Sequence, residues 1–310
     1  LAGNTGAQHY SILALSNYDI PSGLTGNSLN ILLTQLPQTI EWPCSVTLGG
    51  SLVGVAGQNG ITISADGVDI DLAGHTLAGV AGSFDGIAVQ SVRRALSVRN
   101  GKVRRWGSSG VWAGNVTAGS FEGLTLDQNG QYGLLPGTGA RVVACVASAN
   151  SIDGISTGLG CVVRGCAARA NLAAGIVLGS QSQAIDCQSS ANRAGIVAGD
   201  GCQVSRCTLH DNTQQGVFAG NGCHIADCNV RNNLLDGIRV SFSCTVIGNN
   251  TNGNGTGTAA AAAILVQGSR NRIEGNNLSF EDGLNVTGTN NLIVRNTLGS
   301  ANALIVAGNS

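Results

Sequence analysis

Asparagine recurs at positions 129, 150, 171, 192, 212, 233 and 254, at intervals of 21, 21, 21, 20, 21 and 21 residues. A short period held over six steps restricts the chain to one structural unit stacked on copies of itself. Two further series run in phase with it. Gly-apolar pairs occur at Gly133-Leu134, Gly154-Ile155, Gly175-Ile176, Gly195-Ile196, Gly216-Val217 and Gly237-Ile238, and cysteines at 145, 166, 187, 207 and 228. Each copy therefore places an amide, a glycine corner and a thiol at fixed points.

Composition narrows the unit. Glycine makes up 47 of 310 residues and proline only 4, which suits repeated tight corners and argues against collagen-like or disordered sequence. Charged residues are 11% and the formal net charge is −1, so no general attraction to nucleic acid or anionic membrane is expected. The longest apolar run, Ala259 to Val266, is far shorter than the roughly 20 residues of a membrane span. The chain contains no methionine, consistent with a cleaved leader and an extracellular or cell-surface location.

Gly-apolar corners extend beyond the strict region to Gly60-Ile61, Gly86-Ile87 and Gly110-Val111, and onward to Ala263-Ile264, Gly283-Leu284 and Ala303-Leu304, about twelve copies in all. Between corners lie short alternating stretches such as Ile61-Thr-Ile-Ser and Val68-Asp-Ile-Asp-Leu. Strands of three to five residues with glycine or asparagine corners, repeating near 21, describe the coils of an all-β, single-stranded parallel β-helix. Stacked amides can bond to one another and to corner backbone, which gives the asparagine column a structural role as an internal ladder.

The ten cysteines fall largely into two columns, 161, 202, 223, 244 and 145, 166, 187, 207, 228, with Ser182 filling the gap in the first. They fit stacks of buried small side chains. Disulfides between neighbouring coils are the alternative, since stacked residues about 4.8 Å apart fall within the permitted range. No zinc or redox spacing is present, and neither a metal nor a cofactor is expected. Residues 1–42 do not repeat and are expected to form an N-terminal arm and a capping helix over Ser28–Leu36, with the β-helix occupying 43–310. No capping segment follows Ala303-Leu-Ile-Val306, so an open last coil is expected to invite pairing with another chain.

Leu36-Pro-Gln-Thr-Ile40, Gly57-Gln-Asn-Gly-Ile-Thr-Ile-Ser-Ala-Asp66, Val68 to Leu77 and Asp85-Gly-Ile87 resemble the start of a bacterial secreted family of right-handed parallel β-helix repeat proteins. Later coils such as Gly222 to Asn233 are similar to its generic repeat. The resemblance covers about 275 of the 310 residues. It implies a right-handed coil of the pectin-lyase-like superfamily, which spans lyases, glycoside hydrolases, epimerases, adhesins and phage spikes. Fold alone does not choose among these.

Hydrolysis of a polysaccharide would need two facing carboxylates. Asp85, Asp153, Asp236 and Asp282 each precede a corner glycine, the usual turn position for aspartate. Asp186, Arg206 and Asp227 fall in one outward column and suggest a salt-bridge ladder. The Asn-Thr-Asp, Asp-Asp and Gly-His-Gly motifs of polygalacturonase-like hydrolases are absent, and Gly74-His75-Thr76 has no partner carboxylate nearby. A glycan-binding or lyase-like reading rests instead on Arg93, Arg94, Arg99, Lys102, Arg104 and Arg105 beside Trp106 and Trp112, a cluster suited to an anionic polysaccharide. His210 with Arg169 and Arg231 is a further basic grouping.

The position after each corner apolar residue should point outward. Among these positions Trp112, Leu135, Val177, Val197, Phe218, Leu265 and Ile305 are large and apolar. Such a stripe suggests self-association into a fibre or closed oligomer. The leading expectation is thus a non-catalytic extracellular structural protein whose partner is itself, and a polysaccharide-binding β-helix is the alternative.

Overall fold

The computed structural model describes residues 10–12, 29–257, 261–279, 283–299 and 304–306. The described residues form strands and turns without a helix, wound into a parallel β-helix of about twelve coils. Each coil has three short strands, so the solenoid has three faces. The first face runs from Gln38–Ile40 through Ile61–Ile63, Ile87–Val89 and Val111–Thr117 to Leu304–Val306. The second runs from Ser45–Leu48 to Leu292–Val294, and the third from Leu52–Val53 to Thr297–Leu298. Every strand pairs in parallel with its equivalent one coil away, and side chains of the same type stack in columns.

The corners explain the three sequence series together. Within the regular region each corner is a residue in the left-handed backbone region followed by one that points inward. In one coil the pairs are Gly160-Cys161, Gly165-Cys166 and Ala170-Asn171, and in the next Gln181-Ser182, Asp186-Cys187 and Ala191-Asn192. A non-glycine residue in that region costs roughly 1–2 kcal/mol, so the inward residue has to compensate. It does so by bonding the coils above and below.

Asn171 is representative. Its Oδ1 accepts from the Asn150 backbone N–H at 3.0 Å and from Asn150 Nδ2 at 2.9 Å. Its Nδ2 donates to the Ala147 carbonyl at 3.2 Å and to Asn192 Oδ1 at 2.9 Å. The same pattern connects 129, 150, 171, 192, 212, 233 and 254. All seven amides are buried and saturated, as buried polar groups must be. The glycine column follows from this: a Cβ on Gly154 would lie 2.6 Å from the Gly175 carbonyl oxygen and 2.8 Å from Asn171 Nδ2.

The ten cysteines are buried and carry free thiols, which is the stacked-side-chain arrangement and not the disulfide one. Sulfur takes the place of the amide oxygen: the Cys145 N–H points at Cys166 Sγ at 3.4 Å, and Cys166 Sγ lies 3.7 Å from the Val142 carbonyl. Burial pushes the Cys44 thiol up to about 11 and raises that of Cys161 as well, so these thiols are protonated and unreactive at neutral pH. Toward the C-terminus asparagine takes over both thiol columns. Asn249, Asn276 and Asn296 continue one, and Asn271 and Asn291 the other.

One expectation is corrected. The segment placed as a capping helix over 28–36 is the strand Leu29–Leu33, paired in parallel with Ser45–Leu48. Its alternation puts Ile31 and Leu33 in the core and leaves Asn30 and Leu32 exposed, a period of two that the segment's few apolar residues did not separate from a helical one. Together with Gln38–Ile40 it carries the ladder N-terminal of the boundary expected at 43. Most of the arm, 1–9 and 13–28, lies outside the described residues, as do 307–310, where an uncapped end was expected.

Asn171→Ala should remove the acceptor of the Asn150 backbone N–H and the side-chain donor to the Ala147 carbonyl. The expected loss is about 3 kcal/mol or more. Asn171→Cys should cost markedly less because sulfur can still accept from the Asn150 N–H. Urea-unfolding midpoints of the two variants check this order.

Candidate functional site

With the interior closed by ladders, chemistry is confined to the outward columns. On the first face one column runs Thr39, Thr62, Ala88, Trp112, Leu135, Ser156, Val177, Val197, Phe218, Arg239, Leu265 and Asn285, each residue in register with the next, while the side chain of Ile305 lies outside those described. The apolar members form a stripe along the axis. Phe218 is 36% exposed and Arg239 lies 5.5 Å from its ring centre, a cation–π contact. Leu265 is nearly covered.

At the N-terminal end the stripe gives way to an open cleft of ≈ 480 Å³ lined by Pro37, Gln38, Thr39, Gly57, Gln58, Asn59, Thr62, Phe84 and Gln90. Thr39 and Thr62 are outward neighbours in the column and form its floor. Gln58, Asn59 and Phe84 come from successive turns entering the face, where the Phe84 N–H donates to the Gln58 carbonyl at 2.9 Å. Asn59 is fixed at both ends. Its Oδ1 accepts from the Asp85 N–H at 3.1 Å and its Nδ2 donates to Thr62 Oγ1 at 3.3 Å. Phe84 is 52% exposed. Amides and hydroxyls with an exposed ring can bond vicinal hydroxyls and stack on an apolar sugar face. All the lining side chains are uncharged, so the cleft's lining holds no general acid or base. No spacing in the sequence marks it, because its residues come from three coils.

The basic-aromatic cluster expected between 93 and 112 is contiguous in sequence but spread around the coil. Arg93 and Arg94 pair with Val116 and Thr117 in the first-face sheet. Arg99 lies on the second face, bonded to Asp69 at 2.7 Å and Asp71 at 3.2 Å. Lys102 and Arg104 lie on the third, with Arg104 3.1 Å from Asp127. Arg105 is a left-handed corner whose Nε donates to Gln128 at 3.1 Å. Trp106 is 1% exposed and belongs to the core. It occupies the asparagine column below Asn129, whose Oδ1 accepts the Trp106 N–H at 3.2 Å, and its indole N–H donates to the Leu77 carbonyl. Gly54, Gly60 and Gly86 leave room for its ring. Trp112 points outward on the first face, in register with Ala88 and Leu135. A strand traverses all three directions within one coil, so sequence proximity of cations is no guide to a common surface.

The aspartates before the corner glycines serve the turns. Asp85 accepts from the Ser109 N–H at 2.7 Å, Asp153 from Ala174 at 2.8 Å and Asp236 from Ala262 at 3.0 Å; Asp282 lies outside the described residues. Asp153 and Asp236 are four coils apart, about 19 Å at the strand spacing, too far for the paired carboxylates of a glycosidase. Asp186 is bonded to Arg206 at 2.7 Å and approached by Arg164 at 3.5 Å, and the Arg206 hydrogen bond holds it below the usual carboxylate range. Among the described residues no group of three His, Cys, Asp or Glu side chains is placed to hold a metal ion, and no helix is long and apolar enough to cross a membrane.

Residues 196–310 match the family described as right handed beta helix region. No curated protein sequence matches the chain. Among solved structures it is similar to the A-module of the mannuronan C-5 epimerase AlgE6 of Azotobacter vinelandii, with a TM-score of 0.69 at 13% identity over 90% of this chain and 89% of that one. It is also similar to the Agl-KA catalytic domain, with a TM-score of 0.60 at 14% identity over 90% of this chain and 62% of that one. A third is the Dettilon tailspike protein, with a TM-score of 0.57 at 15% identity over 90% and 61%. At these identities the likeness is one of fold. The fold is that of a right-handed parallel β-helix.

Burial raises the carboxyls of Asp153 and Asp236 above the ordinary value of 3.8. A raised folded-state pKa gives stability that is full below the unfolded value and lost as pH rises through the folded one. Asp236→Asn keeps the acceptor for Ala262 and removes the buried charge. It should therefore raise the urea midpoint at pH 7 and bring it level with the wild type below about pH 4.

Proposed function

We propose that the protein is a secreted, non-catalytic polysaccharide-binding β-helix whose first face holds the glycan. The observation that carries this reading is the uncharged cleft of Gln58, Asn59, Thr62 and Gln90 beside the exposed ring of Phe84. Trp112 continues it along the axis one coil beyond Ala88. Sites of this kind combine a few fixed polar groups with an apolar wall. The lack of a cation in the cleft suits a neutral sugar chain. The similar epimerase is named for mannuronan, itself a polysaccharide, which supports a saccharide partner in general terms. A polysaccharide partner places the protein at or outside the cell surface.

Titration with neutral oligosaccharides, such as manno- and gluco-oligomers, tests the reading. Phe84→Ala or Gln58→Ala should weaken binding about tenfold, the scale of losing an anchor side chain. Wild-type affinity in both variants, or no neutral glycan bound by the wild type, would sink it.

A second reading is favoured by the outward register of Trp112, Leu135, Val177, Val197 and Phe218, which form an apolar stripe interrupted by Ser156. Copies of the chain would associate along it. Sedimentation should then show mass rising with concentration, abolished by Val177→Lys. A constant monomer mass removes this reading and leaves the first one standing.

A further inference from the structure

One coil of the regular region is a residue short, and the shortening falls at the junction of the third and first faces. The corner glycine follows Asn129, Asn150, Asn171, Asn212 and Asn233 by four positions, but Gly195 follows Asn192 by three. This deletion accounts for the single interval of 20 in the asparagine series. At the full-length junctions the residue after the asparagine donates its N–H to the asparagine carbonyl one coil earlier. Ser151 bonds Asn129 in this way, Leu172 bonds Asn150, Thr213 bonds Asn192 and Leu234 bonds Asn212, all at 2.9–3.0 Å. The residue after that bonds its own counterpart, as Ile152 does Gln131 and Ala173 does Ile152. In the short junction Arg193 makes this second bond, to the Ala173 carbonyl at 2.9 Å. The residue that would have made the first bond is missing.

Three backbone groups lose their partners as a result. Among the described residues nothing donates to the carbonyls of Asn171 and Arg193, and the Gln214 N–H finds no acceptor. Asn171 is buried, and an orphaned carbonyl there is costly unless something from outside donates to it. An open cleft of ≈ 430 Å³ lies at this junction, with Asn171, Leu172, Asn192, Arg193, Thr213 and Gln214 in its lining. Leu172, 72% exposed, is its apolar wall.

We propose that this notch docks a short peptide segment of another protein. The peptide supplies the N–H that the deleted residue would have given to Asn171, accepts from the Gln214 N–H, and lays an aliphatic side chain against Leu172. Two acceptors and a donor of the main chain beside an aliphatic wall are the complement of a peptide, in which main-chain bonds hold and a side chain selects. A sugar offers hydroxyls but no aliphatic branch for Leu172. Arg193, exposed at the rim, favours an acidic residue beside the aliphatic one. The volume is in the range of small-ligand sites, so the notch takes a few residues and not a long segment. It lies on the coils from 170 to 214 and the first-face cleft on those from 37 to 90, so the two sites are independent.

Titration calorimetry of the full chain with the capped peptide acetyl-Asp-Leu-Leu-methylamide tests the proposal. The wild type should bind it. Insertion of one alanine between Asn192 and Arg193 restores the full-length junction and gives Asn171 its donor. This variant should show a higher urea midpoint and binding at least about tenfold weaker. Leu172→Asp, at an exposed position, should keep the wild-type midpoint and weaken binding about tenfold. Ester analogues of the peptide, with each leucine N–H in turn replaced by oxygen, should include one that binds about tenfold more weakly. No binding by the wild type at millimolar peptide would show that water alone fills the notch, and overturns the proposal. Undiminished binding by either folded variant overturns it, as does equal binding of the amide and all the ester peptides. Equally strong binding of N-acetylglucosamine, which carries an amide without an aliphatic side chain, would show an amido-sugar site and also overturn it.

Discussion

The fold depends on one pairing: a left-handed corner residue followed by an inward side chain that bonds the coils on either side. The corner alone is unfavourable for Ala170, Asp186 or Arg206. The inward neighbours Asn171, Cys187 and Cys207 make it worthwhile only when the next coil is already in place to be bonded. Stability is therefore a property of neighbouring coils and not of a coil by itself, as expected for a quasi-one-dimensional repeat. Asparagine serves best, since one amide can satisfy a backbone donor, a backbone carbonyl and two further amides. Cysteine fills the same place with a weaker acceptor and good packing. Its replacement by Asn249 and Asn271 in the upper coils shows that the corner requires an acceptor of small size more than a particular chemistry.

A solenoid closed in this way divides its side chains sharply. Inward ones are committed to ladders and packing, and outward ones form columns whose members are about 21 residues apart in sequence and one coil apart in space. Binding surfaces on such a scaffold are read down columns. The first-face cleft takes residues from three coils. The run of cations from Arg93 to Arg105, close in sequence, is carried around the circumference and ends on separate faces, with Arg99 paired to Asp69 and Asp71 and Arg104 to Asp127.

Much of this was legible in the sequence because period is a global signal. The asparagine, glycine and cysteine series located the corners, and the outward phase of Thr62, Trp112, Val177 and Phe218 followed from alternation. What stayed hidden was local. The strand Leu29–Leu33 has too few residues to distinguish a period of two from a helical one. Trp106 looked like a surface aromatic because its neighbours are charged, although its place one step below Asn129 in the ladder column marks it as interior. The cleft is formed by Gln58, Asn59 and Phe84 in loosely spaced early coils, where no strict repeat exists to align them.

The five- to six-residue extension between Asn254 and Ile264 shows what the architecture tolerates. It lengthens the step from Gly237 to Ala263 to 26 residues and ends the asparagine column at 254. The other two ladders nevertheless pass through the same coil without a break, from Cys228 to Asn249 to Asn276 and from Cys244 to Asn271. Added chain is thus absorbed at the junction of the third and first faces while the other two corners keep register. That junction is a graft point: foreign loops could be spliced there to decorate one edge of a rigid rod, leaving its remaining surfaces as they were.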